Sequence, residues 1–316
     1  MAHRWATFGM ETTGTSIGIG IIIAVYNDWV ALDECLRSIA QQADAPSFAV
    51  FVVDDGSEQS APENIQQWAG RFPLHIVRQS HAGISVARNR GIMAATEPVL
   101  LFVDADCRLR KNCLATLTST IARSPQHDCF QLRLTGSGST VVGRAEELRL
   151  ATFQEHALQP DGRIRYLNTA GFAIRRARAQ NRDGLFDPVA QRGEDTLLLA
   201  NLMKRDELPL FVADAVVEHS ISLSLIGCLG KDIRSAYLEC KTYEMIDSKG
   251  VEIRITNRER LQLLGSMWKA ASQPSIGRVA WVVVVGRQAL QRIISLGYRW
   301  LRIGAIRSTR NVNRQR

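Results

Sequence analysis

Val99-Leu100-Leu101-Phe102-Val103-Asp104-Ala105-Asp106 is a five-residue apolar run closed by two acids. Following Pro98, the run reads as a buried strand. The acids cannot enter a core without a counter-charge, so they mark the strand's mouth. If the chain stays extended there, the period of two turns both carboxylates to one side. Two hard oxygen ligands so placed suit Mg2+ or Mn2+, and such ions commonly bridge to phosphate oxygens. A polar turn ending a strand explains Asp-x-Asp equally well when it is taken alone.

Outward from this strand, strand-like and helix-like segments alternate between Gly18 and about Val217. Ile19 to Val25 is continuously apolar, as expected for a strand covered on both faces. Asp28 to Gln41 has apolar residues at 29, 32, 36 and 39, a helical spacing. Ala49 to Val53 reads as a second buried strand, ending in Asp54-Asp55-Gly56-Ser57. Glu63 to Phe72 reads as a short helix and Leu74 to Val77 as a third strand. Ser85 to Ala95 and Lys111 to Arg123 read as helices. After Phe130 the rhythm loosens. Leu167 to Ile174 and Leu210 to Val217 read as strands, Glu194 to Lys204 as a helix, and 221 to about 264 as mixed helix. The alternation predicts an α/β fold, with a mostly parallel Rossmann-like sheet flanked by helices and a C-terminal helical extension. Ligands of such sheets sit beyond the carboxyl ends of the strands. Tyr26-Asn27, Asp54-Asp55 and Asp104/Asp106 all fall at such ends, so three polar clusters predict one site.

Several of these residues have two readings. Asp54-Asp55-Gly56-Ser57 is also good turn chemistry. Arg88, early in the helix after Gly83, can grip nucleotide oxygens or pair with a surface carboxylate. Glu194-Asp195 opens a helix, where free N–H groups and the dipole favour acids, so capping accounts for one of the two. His219 is either a capped strand-end histidine or a metal ligand.

Taken in order, the motifs resemble the family 2 glycosyltransferases of the GT-A fold. The matching segments are Ile21 to Asn27 (IIIAVYN), Val52 to Ser57 (VVDDGS), Gly83 to Gly91 (GISVARNRG) and Leu101 to Asp106 (LFVDAD). They continue with Gly171 to Arg176 (GFAIRR), Gly193-Glu194-Asp195 and Val217-Glu218-His219. The chain departs from the family pattern at Ala24, where proline is common, and around Gly171, where asparagine is common. The resemblance implies a nucleotide-diphosphate sugar donor, contacted by Ala24, Tyr26, Asp54, Asp55, Arg88, Asp104 and Ala105. It implies Mn2+ or Mg2+ held by Asp104, Asp106 and His219, neutralising the charge that develops on the leaving diphosphate. It makes Asp195 the general base on an acceptor hydroxyl, with Glu194 contacting the acceptor. The reaction would be one in-line displacement that inverts the anomeric carbon. A nucleotidyltransferase would want a Gly-rich loop where Gly18-Ile19-Gly20 stands. A dinucleotide oxidoreductase would want glycine at position 23, which is Ile. A non-catalytic transferase-like binding protein is opposed by the intact acids at 104, 106, 194 and 195.

Charge divides the chain unevenly. The net charge is +8, yet after residue 260 there is no Asp or Glu, and Lys269 with nine arginines gives that stretch +10. The six cysteines are scattered without a Cys-x-x-Cys pair, which points to reduced thiols rather than zinc or disulfides. On a helical wheel Leu290, Ile293, Ile294, Leu296, Trp300 and Leu301 share one face, and Arg287, Arg292, Arg299 and Arg302 the other. Arg287 cuts the apolar run from Val279 short of the ~20 residues a membrane span needs. Arginine opposite Trp and Leu predicts a helix lying on an anionic membrane surface, with a surface helix packed on the protein's own body as the other reading and nucleic acid a poorer partner. The expected divisions are a leader at 1–17, a transferase domain at 18–222, a helical extension at 223–275 and a basic amphipathic tail at 276–316. Within the domain, 18–107 would hold nucleotide and 108–222 a glycan or lipid-linked acceptor. The expected location is cytoplasmic, peripheral on the inner face of the cell membrane.

Overall fold

The computed structural model describes residues 17–136, 140–180, 184–220, 225–273 and 276–314, with the backbone alone for Arg299 and 301–314. The expected leader before Ile17, and the faces assigned to Arg299, Leu301 and Arg302, lie outside the described side chains. The first half runs β1 (Ile19–Val25), α1 (Trp29–Ala40), β2 (Phe48–Asp54), α2 (Glu63–Gln66), β3 (Leu74–Arg78), α3 (Ile84–Ala94) and β4 (Val99–Phe102). The second half runs β5 (Cys107–Leu109), α4 (Cys113–Arg123), β6 (Cys129–Gly136), α5 (Val141–Ala157), β7 (Phe172–Arg175), α6 (Arg176–Ala179), α7 (Glu194–Lys204) and β8 (Leu210–His219). Three helices follow: α8 (Leu225–Ser248), α9 (Asn257–Ala271) and α10 (Arg278–Arg314).

The strands form one sheet in the order β3-β2-β1-β4-β7-β6-β8-β5. The half from β3 to β4 is parallel throughout. Beyond it, β7 runs antiparallel to both β4 and β6, and β5 antiparallel to β8. The sheet is therefore mixed, with its parallel half where the alternating sequence predicted one. Strands β1, β2 and β4 are buried on both faces, and the period of two sorts their side chains between two cores. Ile21, Val50, Val52 and Leu101 pack on one side; Ile22, Phe51, Leu100 and Phe102 pack on the other. This double burial is why these strands read as unbroken apolar runs.

Where the rhythm loosened, the structure differs from the expectation. Leu167 to Ile174 is not one strand. A 3-10 turn at Thr169–Gly171, clasped by Asn168 Oδ1 accepting the Ala170 N–H, precedes the short β7. Strands β5 and β6 and helix α5 were not foreseen. Helix α5 buries Glu146, Thr152 and Gln154 beside its leucines, so it lacks a clean apolar stripe. Gln154 spends its amide on Leu134 N–H and C=O of β6, and this ties helix to strand. Asp104 and Asp106 also depart from the extended geometry. The chain turns after β4, with Cys107 N–H donating to Asp104 C=O.

Helix α10 is docked at its start. Ala280 and Val284 are buried with Ala145 and Leu148 of α5 and Met267 and Ala271 of α9. Arg287 does not share the outer polar face. It lies inward, bidentate on Asp232 of α8 at 2.6 and 3.0 Å, with Glu146 of α5 at 3.9 Å. Nor does it end the apolar stretch, because Arg278–Tyr298 is long and apolar enough to cross a membrane by length and composition.

Candidate functional site

At the mouths of β1 and β2, two turns are clasped together. Asn27 N–H donates to Ser57 Oγ and Asn27 Oδ1 accepts the Glu58 N–H. Gly56 has φ +82°, and a Cβ there would lie 2.6 Å from His81 N, so only glycine fits. Asp54 is 2 % exposed and committed locally: Oδ1 caps Ser57 N–H, and Oδ2 lies 3.5 Å from Arg78. Asp55 holds the loop before α3, accepting the Ala82 and Gly83 N–H groups and the Gln79 amide and lying 2.9 Å from His81. Both acids thus hold local turns, in keeping with the turn reading. Tyr26 is half exposed and stacks on His81, centroids 4.4 Å apart, presenting a ring at the mouth. Ala24 and Ala105, expected among the nucleotide contacts, have their side chains packed inward. Ala24 packs against the buried cluster Val53, Val77 and Ala87, and Ala105 belongs to the main core.

Arg88 is the joint of the site. It is 2 % exposed, not a surface residue. One terminal nitrogen donates to Asp104 Oδ1 and the other to Glu194 Oε1, each at 2.6 Å, above the Phe186 ring. Burial alone would lower its pKa, but Asp104 and Glu194 outweigh that and raise it. Both of its terminal nitrogens are engaged by protein carboxylates, so in this structure the guanidinium bridges Asp104 and Glu194. Glu194 is likewise turned to Arg88. The guanidinium thereby pins the mouth of β4 to the start of α7.

Asp106 goes the other way. The antiparallel register Cys107↔His219 between β5 and β8 sets Asp106 Oδ2 3.2 Å from His219 Nε2. Burial would lower the His219 pKa, yet Asp106, with Glu146 and Asp104 further off, raises it overall. An octahedral Mg2+ or Mn2+ with bonds of about 2.1 Å spaces neighbouring ligands about 3 Å apart, and this pair has that spacing. The Cys107 thiol lies within 4.8 Å of both, but it is fully buried, and burial with the charges of Asp104 and Asp106 pushes it well up. A neutral buried thiol adds little for a hard cation. The oxygen and imidazole donors of Asp106 and His219 fit the expected ion; Asp104, also expected to hold it, is part-exposed and paired with Arg88.

Helix α7 begins at Gly193, whose φ of +77° bends the chain sharply into the helix. Asp195 follows in the first turn and its Oδ1 accepts the Thr196 N–H at 2.6 Å. Burial, reinforced by the adjacent Glu194 charge, pushes its carboxyl up to about 7. A carboxyl in that range can exchange a proton near neutral pH, which is what a general base needs. The sequence reading missed His81, which stacks on Tyr26 and lies 2.9 Å from Asp55. Nothing local distinguishes it, because it meets the motifs only through the fold.

The family model for "Glycosyl transferase family 2" matches residues 20–185. The uncharacterized glycosyltransferase YibD of Escherichia coli is 33% identical over 100 residues, covering 31% of this chain and 29% of that protein. The chain thus spans about a third of the length of the curated relatives it matches. Among solved structures, the mannosyltransferase PcManGT of Pyrobaculum calidifontis, in complex with GDP-Man and Mn2+, has a TM-score of 0.56 at 16% identity, covering 89% of this chain and 79% of that one. S. aureus TarS 1-349 with UDP-GlcNAc has a TM-score of 0.52 at 17% identity, covering 89% and 91%. At such identities these structures establish a shared fold. With a family match over more than half its length, and with that fold, this chain belongs to glycosyl transferase family 2.

Proposed function

We propose that the protein is an inverting glycosyltransferase that uses a nucleotide-diphosphate sugar. The observation that carries the reading is the Arg88 bridge. It joins the strand-mouth acid Asp104 to Glu194, the neighbour of Asp195 in the first turn of α7. Asp195 takes the proton of an acceptor hydroxyl as that oxygen bonds the anomeric carbon. The bond from that carbon to the diphosphate breaks, and its electron pair leaves with the diphosphate. A divalent cation held by Asp106 and His219, with Asp104 beside them, would supply charge neutralisation there. Two structural relatives are complexes with nucleotide sugars, GDP-Man with Mn2+ and UDP-GlcNAc, and this is consistent with such a donor.

The helical extension supports a membrane-surface setting with a lipid-linked or envelope glycan acceptor. Along α10, Val279, Val282, Gly286, Ala289, Ile293, Leu296 and Trp300 are all exposed, at alternating steps of three and four residues. A second copy of this seam would set arginine against arginine, since no acid follows residue 260. An anionic bilayer complements both the seam and the charge.

The test is sugar transfer from a panel of UDP-, GDP- and dTDP-sugars with Mn2+ or after chelation. Transfer is expected to need the ion and to fall about 100-fold or more in Asp106→Asn. Undiminished turnover in EDTA, or in that variant, would overturn the reading.

A further inference from the structure

Ser85, Arg88, Asn89 and Ile92 stand at i, i+3, i+4 and i+7 along α3, so they share one face of the helix. The family resemblance gave a role to Arg88 alone. In the structure this face meets one segment, 184–193, and the start of α7 that follows it. Asn89 Nδ2 donates to the Phe186 C=O at 2.7 Å, and Asn89 Oδ1 accepts the Phe186 N–H at 3.0 Å. One side-chain amide thus pairs both backbone groups of a residue, as an antiparallel strand would. Ser85 Oγ donates to the Ala190 C=O at 3.1 Å. The Arg88 guanidinium lies 5.5 Å above the Phe186 ring and bonds Glu194 beyond the segment. Ile92 and Phe186 belong to one buried cluster. A Cβ at Gly184 would lie 2.5 Å from Asn89 Nδ2, so the chain passes flush over that amide.

The stretch 184–193 carries neither helix nor strand, so its course depends on the side chains that reach it. From α8, Thr242 Oγ1 donates to the Arg192 C=O at 2.5 Å. Helix α3 is itself seated on the sheet, with Ala87 buried against Val53 of β2 and Val77 of β3. The sheet therefore fixes α3, α3 fixes the segment, and Asp195 follows two residues after the segment ends. We propose that Asn89, supported by Ser85, is a positioning residue: through 184–193 it sets where the start of α7 presents Asp195. This rests on the sugar-transfer reading above and names what holds its base. A loop held by side chains alone can shift when one of them is lost, and a misplacement of about 1 Å can cost about 100-fold in rate. The donor, in that reading, is held at the strand mouths and by Asp106 and His219, none of which lies on the segment.

The test uses Asn89→Ala and the milder Ser85→Ala in the full chain, assayed well below their melting temperatures. The kcat should fall about 10- to 100-fold in Asn89→Ala and about 3- to 10-fold in Ser85→Ala, with the donor dissociation constant by calorimetry held within about twofold. In an Asp195→Asn background neither change should cost more than about twofold further, because positioning acts only through that carboxyl. A merely structural loss would persist there. Amide exchange gives a readout independent of activity: Asn89→Ala should speed it at 184–193 and in the first turn of α7, and leave β1 and β2 protected. An unaltered kcat, an equal loss of donor affinity, a loss that persists without Asp195, or unchanged exchange would each overturn the proposal. Should Asn89→Ala fail to fold, the same outcomes are read in Ser85→Ala. If the unaltered protein neither binds nor transfers any nucleotide sugar, the transfer reading fails separately. The exchange pattern still reports whether Asn89 holds the segment.

Discussion

Asp195 shows how one carboxyl can serve chemistry at the expense of the fold. Its pKa is raised from the usual carboxylate range to about 7 by burial and Glu194. The folded chain therefore keeps a proton that the unfolded chain has already lost between about pH 4 and pH 7. Stability falls as pH rises through that window, while the basic form needed for transfer increases. Asp195→Asn should raise the melting temperature at pH 8 and leave it nearly unchanged at pH 4. The expected gain is on the order of 1–3 kcal/mol. Transfer should fall about 100- to 10,000-fold, which pH-resolved calorimetry and assays would check. The family resemblance implied that Asp106 and His219 share a site, and the two lie 3.2 Å apart. The bridging by Arg88 was not foreseen, because its two partners lie 16 and 106 residues away.

At the scale of elements, the docking of α10 rests on a buried charge cluster. Arg287 serves Asp232, 4 % exposed, and stands near Glu146, 6 % exposed, which Arg149 also holds. Removing one partner of a buried pair leaves the other uncompensated, at a cost of about 3–5 kcal/mol. Arg287→Met is expected to destabilise the chain by that order in urea unfolding, and Arg287→Lys by less. Burial would raise the Glu146 pKa, but Arg149 and its neighbours bring it down to about 2. That depression gives stability that is present above the ordinary glutamate range and lost as pH falls from about 4.5 towards 2. Glu146→Gln should therefore flatten the acid limb of the stability profile. None of this was legible in the sequence. A wheel shows which residues share a helix face, and only the neighbours decide which face turns inward.

For the molecule as a whole, the sheet-bearing body and the helical extension present different surfaces. Exposed Leu261, Trp268, Val279, Val282, Ile293, Leu296 and Trp300 all belong to α9 and α10. Full-length protein is expected to sediment with vesicles containing anionic lipid, less with neutral vesicles, and less again at high salt. Replacing Ile293, Leu296 and Trp300 together by serine should abolish sedimentation and leave the melting temperature unchanged, because these side chains are exposed. Absence of binding by the unaltered protein at low salt would end that reading. Deleting 276–316 is a poorer test, since it would uncover the packing around Ala280 and Val284. The sequence by itself determined the parallel half of the sheet and the acids at its strand mouths. Double burial writes a strand as an apolar run, and a carboxylate cannot follow it into the core. Only the tertiary structure decided which side chain each acid meets and which arginine joins two of them. Those outcomes depend on β7 inserting antiparallel and on β5 pairing with β8, long-range choices that leave no period in the local sequence.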